Sequence, residues 1–155
     1  SSGAVRDDGS VWMWGTGTSA MTGNDSGLSP DDVGGRALVP AQLKGDKGVR
    51  RLSIGAGHVA VLLADGTVRM WGFDGYGQTG SGTSGTSSET DGAYKRTPVR
   101  PAITDVTNIY LGGYRSIAVR ADGTLWIWGG TSFMGSGILG RNLRVPTLLD
   151  LQSFK

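Results

Sequence analysis

A tryptophan–glycine pair recurs at a fixed interval in this chain. Trp14-Gly15, Trp71-Gly72 and Trp128-Gly129 follow one another every 57 residues. Each pair closes a short stretch opened by Asp-Gly. These stretches run Asp8-Gly9-Ser10-Val11-Trp12-Met13-Trp14, Asp65-Gly66-Thr67-Val68-Arg69-Met70-Trp71 and Asp122-Gly123-Thr124-Leu125-Trp126-Ile127-Trp128. Gly23, Gly80 and Gly137 keep the same interval. A period of this length means a repeat architecture, in which each unit buries its apolar faces against its neighbours.

Each stretch reads as the second arm of a β-hairpin. Val59 to Leu63 is apolar, Asp-Gly follows, and Thr67 to Trp71 is strand-like again. Asp-Gly between such runs predicts a tight turn of type I′, with positive φ at both central residues. Side chains alternate along a strand, so Val68 and Met70 face one way and Arg69 and Trp71 the other. The same split sets Val11 and Met13 against Trp12 and Trp14, and Leu125 and Ile127 against Trp126 and Trp128. Both faces are mostly apolar, so each sheet must be sandwiched between neighbouring copies.

Longer connections separate the hairpins. Residues 24–39, 81–97 and 138–145 read as loops, each ending at a proline that begins a short strand: Val39-Pro40-Ala41, Thr97-Pro98-Val99 and Val145-Pro146-Thr147. Proline suits an edge strand or a strand start. A further strand precedes the hairpin, at Val49 to Ile54 and at Val106 to Gly112. Each full copy thus carries about four short strands, the size of a propeller blade. The expected fold is all-β: an arc of about three β-propeller blades, one repeat domain over residues 1–155, with copies at about 1–48, 49–105 and 106–155. Three full copies of 57 residues exceed the 155 present, so we expect the arc to belong to a larger closed propeller. Other blades, of the same or another chain, would close the ring. Self-assembly of identical chains is the alternative.

The residues also carry a family resemblance. Ile54-Gly55-Ala56-Gly57-His58, then Asp65-Gly66-x-Val68-x-x-Trp71-Gly72, then Gly75-x-Gly77-Gln78-x-Gly80 resembles the repeat of the regulator-of-chromosome-condensation family. The resemblance implies a β-propeller, commonly seven-bladed. It makes Trp14, Trp71, Trp128, Gly15, Gly72, Gly129, Asp8, Asp65 and Asp122 structural repeat positions. The family histidine stands only at His58; Arg115 and Ser1 occupy its place in the other copies. Asp74 stands where the family often has Asn. The Gly-Gln corner is intact only in the middle copy, and Gly135-Ser136-Gly137 is its remnant in the last. WD-type propellers are the nearest alternative architecture, but here each repeat Trp is followed by Gly, not Asp.

Composition narrows the function. There are no cysteines, so thiol catalysis, disulfides and cysteine-ligated metals are excluded. Formal net charge is only +2, without a basic stripe, which argues against nucleic acid as a partner. No apolar run is long enough to span a membrane as a helix. The single histidine, His58, opens a strand after a glycine-rich turn and reads as structural. The hairpin aspartates read as turn residues that hydrogen-bond their own backbone. Asn24-Asp25 with Asp31-Asp32 lacks the spacing of a calcium loop. We therefore expect no catalytic, cofactor or metal site. Trp14, Trp71 and Trp128 are expected to pack between blades, and Trp12 and Trp126 to do so rather than to bind sugar.

The expected function is a non-enzymatic binding or scaffold propeller presenting loops to a protein partner. Tyr76, Tyr94, Lys95 and Arg96 are the candidate contact residues, because Tyr and Arg are enriched in interface hot spots. Two alternatives come with the resemblance. The founding member is a nucleotide-exchange factor for a small GTPase, and bacterial relatives include a secreted enzyme inhibitor. A secreted or surface inhibitor or adhesin would fit the absence of cysteine and the abundance of Gly, Ser and Thr, in an extracellular or cell-surface setting.

Overall fold

The computed structural model describes residues 1–16, 36–43, 47–83, 93–130 and 142–150. These residues form three antiparallel sheets, with no helix among them. The first sheet holds β1 (Ser2–Val5), β2 (Val11–Thr16) and β3 (Arg36–Gln42), in that order. The second holds β4 (Val49–Ile54), β5 (His58–Leu63), β6 (Val68–Phe73) and β7 (Tyr94–Val99). The third repeats it with β8 (Val106–Gly112), β9 (Arg115–Arg120), β10 (Leu125–Gly129) and β11 (Leu143–Leu148). The architecture is an arc of three β-propeller blades. Strand β3 starts earlier than the proline signal suggested, as do β7 and β11. Pro40, Pro98 and Pro146 lie inside these strands, each on the edge strand of its sheet, where a missing N–H costs no ladder bond.

The Asp-Gly turns differ from the expected type I′. Gly9, Gly66 and Gly123 have φ of +75°, +78° and +81°, but Asp8, Asp65 and Asp122 do not have positive φ. Leu63 N donates to Thr67 O and Gly66 N to Leu63 O, which closes a three-residue loop. The same two bonds recur at Arg6/Ser10/Gly9 and Arg120/Thr124/Gly123. This is the hairpin in which a glycine in the left-handed region follows an ordinary turn. The aspartate is needed for its side chain. Asp65 Oδ1 accepts from Thr67 N at 2.9 Å and from Thr67 Oγ1 at 2.6 Å, and Asp8 and Asp122 do the same with Ser10 and Thr124. These bonds hold each aspartate's pKa below its ordinary value, because they favour the charged form.

The Trp-Gly pair has its own backbone cause. Gly15, Gly72 and Gly129 have φ of +103°, +102° and +102°. At each one the pairing slips: Met13 faces Ala41 but Gly15 faces Ala37, and Met70 faces Val99 but Gly72 faces Lys95. Ile127 and Gly129 repeat the offset against Thr147 and Leu143. A Cβ on Gly72 would meet Gly57 O at 2.5 Å and His58 Cα at 2.9 Å. Only glycine takes this φ without strain and lets the β5 backbone come so close.

Alternation then builds the core between sheets, as both apolar faces required. Val59, Val61 and Trp71 pack with Val11 and Met13 of the first sheet and with Leu43 and Val49. From the opposite face of the same sheet, Ala60, Leu62, Val68 and Met70 pack with Val106, Ile109, Ala118 and Trp128 of the third. Trp71 and Trp128 are fully buried, whereas Trp14 is half-buried. Backbone bonds stitch the second and third sheets at both ends: Ala56 N to Gly113 O at 3.1 Å and Val106 N to Gly66 O at 3.0 Å.

Candidate functional site

The end of the sheets opposite the Asp-Gly hairpins gathers four aromatic rings. Phe73 ends β6 and Tyr94 opens β7, so the antiparallel register places them opposite each other, with ring centroids 5.2 Å apart. Tyr76 comes from the glycine-rich corner after β6 and meets Phe73 edge-on at 5.8 Å. Tyr114 comes from the turn between β8 and β9, in the third sheet, and lies 5.9 Å from Phe73 and 5.2 Å from Tyr76. These separations and tilts are those of favourable aromatic pairs. Phe73 and Tyr94 are half-buried; Tyr76 and Tyr114 are 41% and 47% exposed. Two tyrosines from different blades thus lie side by side on a base that already packs.

The corner that carries Tyr76 is rigidly bonded. Asp74 is fully buried, and its Oδ1 accepts from Thr79 N at 2.8 Å while Oδ2 accepts from Ser81 Oγ at 3.0 Å. Lys95 Nζ lies 3.8 Å from Asp74 Oδ2 and donates to Thr83 Oγ1 at 2.8 Å. Gln78 Oε1 accepts from Tyr76 N at 2.9 Å. Each oxygen of the buried carboxylate thereby accepts a hydrogen bond, as burial of such a polar group requires.

Of the four contact residues read from sequence, Tyr76 and Tyr94 come together through Phe73. Tyr94, Lys95 and Arg96 lie on β7, not in a loop: the ladder begins at Tyr94 opposite Phe73. Lys95 is bonded within the corner, and Arg96 is exposed. Phe73 and Tyr114 were missed. The 57-residue offset pairs Tyr114 with Gly57 and Phe73 with Gly130. In the second sheet a glycine makes room for Phe73, and a Cβ on Gly57 would sit 3.2 Å from Phe73 Cβ. In the third, Gly130 sits beneath Tyr114. Large and small residues exchange places between copies, and that swap was the available signal.

His58 is fully buried between the second and third sheets. Its Nε2 lies 3.2 Å from Arg115 O and 3.1 Å from Ser116 Oγ, and Ser116 Oγ donates to Gln78 O at 2.8 Å. A carbonyl only accepts, so Nε2 carries the proton. Nδ1 has no partner. Burial pushes the pKa down to about 4, against a smaller opposing effect of the Arg115 carbonyl. A neutral imidazole so enclosed serves the joint between blades. Among the described residues, no group of three or more His, Asp or Glu is placed to hold a metal ion. Asn24, Asp25, Asp31 and Asp32 lie outside the described residues. The indole N–H groups of Trp12 and Trp126 donate to Ser10 and Thr124 of their own hairpins, and Arg6 and Arg120 lie over their rings.

Comparison with known proteins bears on this geometry. Residues 49–78, from β4 through the corner, match the regulator of chromosome condensation (RCC1) repeat. These are RCC1-like repeats. The chain is 27% identical to protein pim1 of Schizosaccharomyces pombe over 98% of its own length and 30% of that protein. It is 26% identical to the mitochondrial RCC1 domain-containing protein RUG3 of Arabidopsis thaliana, over 88% of this chain and 28% of that one. The structure of yeast RCC1 (Prp20) bound to Kap60 superimposes with a TM-score of 0.80 at 21% identity, over 98% of this chain and 35% of that one. Human WBSCR16 gives 0.79 at 21%, over 97% and 37%. The chain therefore spans about a third of the length of these proteins. The matched repeat ends at Gln78, so it includes His58, Trp71, Phe73 and Tyr76 but not Tyr94 or Tyr114.

Proposed function

We propose that this RCC1-like chain acts as a non-enzymatic docking element for a protein partner, through the tyrosine rim shared by its second and third blades. The observation that carries this reading is the exposed Tyr76–Tyr114 pair, 5.2 Å between centroids, held on the half-buried Phe73 and Tyr94. Tyrosine supplies a large amphipathic contact area at little conformational cost, and a preformed cluster loses little more on binding. A structural neighbour supports a protein partner: Prp20p of Saccharomyces cerevisiae, a protein with binding properties to Gsp1p and histones, superimposes on 98% of this chain, which covers 36% of Prp20p. Fold alone does not transfer a partner.

The test is site-directed photocrosslinking. A photoreactive residue at position 114 should capture discrete protein adducts that the same residue at Asp122, on the opposite end of the blade, does not. Equal adducts at both positions would sink the reading, and so would metal- or nucleotide-dependent turnover by the purified chain. Exchange activity on a small GTPase is a separate reading, and acceleration of nucleotide release would establish it.

A further inference from the structure

The three sheets differ at one edge. The second and third open on β4 and β8, which pair with β5 and β9, whereas the first opens on β1, the match of β5 and β9. Among the described residues, no strand pairs with the other side of β1. The 57-residue offset shows what stands there in the other copies. Ser2 and Ala4 match Val59 and Val61 of the second sheet and Ser116 and Ala118 of the third. Those four residues are buried, yet Ser2 and Ala4 are exposed. Opposite Val59 and Val61 stand Ile54 and Leu52, and opposite Ser116 and Ala118 stand Leu111 and Ile109. The rows run on to Trp71 and Trp128, as Ser2 runs on to Trp14.

The backbone points the same way. Arg6 N donates to Ser10 O across the first hairpin. Antiparallel bonds alternate along a strand, so Ser2 and Ala4 also bond to β2, and Gly3 and Val5 turn their N–H groups to the open edge. Asp7 matches Ala64 and Ala121, whose N–H groups donate to Gly48 O at 3.0 Å and to Asp105 O at 2.8 Å. Gly48 and Asp105 are matching residues too, with φ of +72° and +57°, and each opens the strand that the first sheet lacks. An edge with a row of unpaired groups is a template for another strand.

We propose that the β1 edge is a strand-acceptor site. Its occupant is an extended segment of another polypeptide, antiparallel to β1, of the form of Asp105 to Gly112: Asp or Gly, Val, two residues of any kind, Ile, any residue, Leu, Gly. Side-chain size selects it. Ser2-x-Ala4 repeats the small pair Ser116-x-Ala118, and over that pair β8 lays Leu111 and Ile109. Val106 and Ile109 enter the core there, and Leu111 packs against it. In such strand addition the main chain supplies affinity and alternate side chains supply specificity. The site is on the first sheet and does not depend on the tyrosine rim.

The test titrates the whole chain into a fluorescent peptide of residues 105–112 and reads anisotropy. The peptide should bind, with little dependence on salt, because the contacts are apolar and main-chain. Ile109→Ser and Leu111→Ser together, made in the peptide, should weaken binding at least about tenfold, since these side chains are what the pairing buries. Tyr110 stands opposite Ile117, the match of Gly3, so N-methylation of the peptide at Tyr110 removes a bond to Gly3 and should cost about fivefold or more. In the chain, Val5→Pro removes an outward N–H and should weaken binding as much. If that variant fails to fold, the N-methylated peptide asks the same question. Absence of binding, or equal binding of the serine or N-methylated peptide, would overturn the proposal. Binding undiminished in folded Val5→Pro would place the peptide elsewhere and overturn it too. So would a dimer in light scattering that Val5→Pro abolishes, because a second copy would then hold the edge.

Discussion

The second and third blades are nearly the same sheet, yet one face of each has a different fate. Ala60, Leu62, Val68 and Met70 of the second are buried because the third lies on them. Of their counterparts, Ile127 is still buried, but Val119 and Leu125 are only half-buried and Ile117 is exposed. Ile117 is 39% exposed, Tyr110 beside it 50%, and a cleft of about 290 Å³ opens there, lined by Gly112, Arg115, Ile117, Ile127 and Leu149. The hairpin turns show the same contrast. A Cβ on Gly66 would meet Asp105 Cα at 3.2 Å, whereas one on Gly123 would meet nothing within 4 Å. A repeat unit's stability therefore depends on position in the array as much as on its own sequence.

The largest effect should separate the tryptophans. Trp71 is wedged among Val11, Met13, Val59 and Val61, so Trp71→Ala should cost about 3–5 kcal/mol. Trp14 occupies the same repeat position but is half-buried, and Trp14→Ala should cost less than about 2 kcal/mol. Urea unfolding of the two variants, with unchanged m-values, measures the difference. Equal losses would mean that the first sheet's outer face is covered in solution.

In its milder range, acid should act through His58 of the second blade. His58 keeps its neutral form in the folded chain down to about pH 4, while an unfolded imidazole takes its proton near 6.5. Between these values the unfolded chain binds more protons, so stability falls as pH falls, by roughly 3 kcal/mol in all. His58→Gln should remove that slope. The hairpin aspartates act lower: their contribution is present above their unfolded pKa of 3.8 and is lost as pH falls through the lower folded value. Unfolding at a series of pH values, for both chains, reads the two windows apart.

The turn glycines give a smaller contrast. Gly66→Ala must accept a left-handed φ and a backbone neighbour, and should cost about 2–3 kcal/mol. Gly123→Ala has the same φ but free space, and should cost about 1 kcal/mol. Thermal midpoints of the two variants suffice to rank them.

Periodicity made the arc legible, because 57-residue spacing, Asp-Gly and alternation all follow from the chain's local chemistry. The blade order and the burial of Trp71 and Trp128 came with it. What escaped was of two kinds. The turn type turned on the aspartate's φ, which Asp-Gly alone does not decide between two hairpin geometries. The rim depended on a contact between blades: Tyr114 looked like part of a turn because nothing near it in sequence says that Phe73 stands beneath it. Lys95 and Arg96 read as loop residues because proline was taken for the strand start, whereas β7 begins four residues earlier and absorbs Pro98 after its slip in register.

The smallest contrast is also the most direct probe of the open face. Ser53 Oγ accepts from Leu111 N at 3.0 Å across the joint between the second and third blades. Ser53→Ala should therefore cost about 1 kcal/mol, the net worth of such a bond. Tyr110 is the matching residue one copy on and is 50% exposed, with no sheet of the described residues in front of it, so Tyr110→Ala should stay within about 0.5 kcal/mol. Both are best measured at two protein concentrations. If the chain covers this face with a second copy, Tyr110→Ala becomes costly as concentration rises, because association with the folded state stabilises it by mass action. A cost independent of concentration and equal to that of Ser53→Ala would instead mean that Tyr110 is held within its own chain, and the contrast between the two blades would collapse.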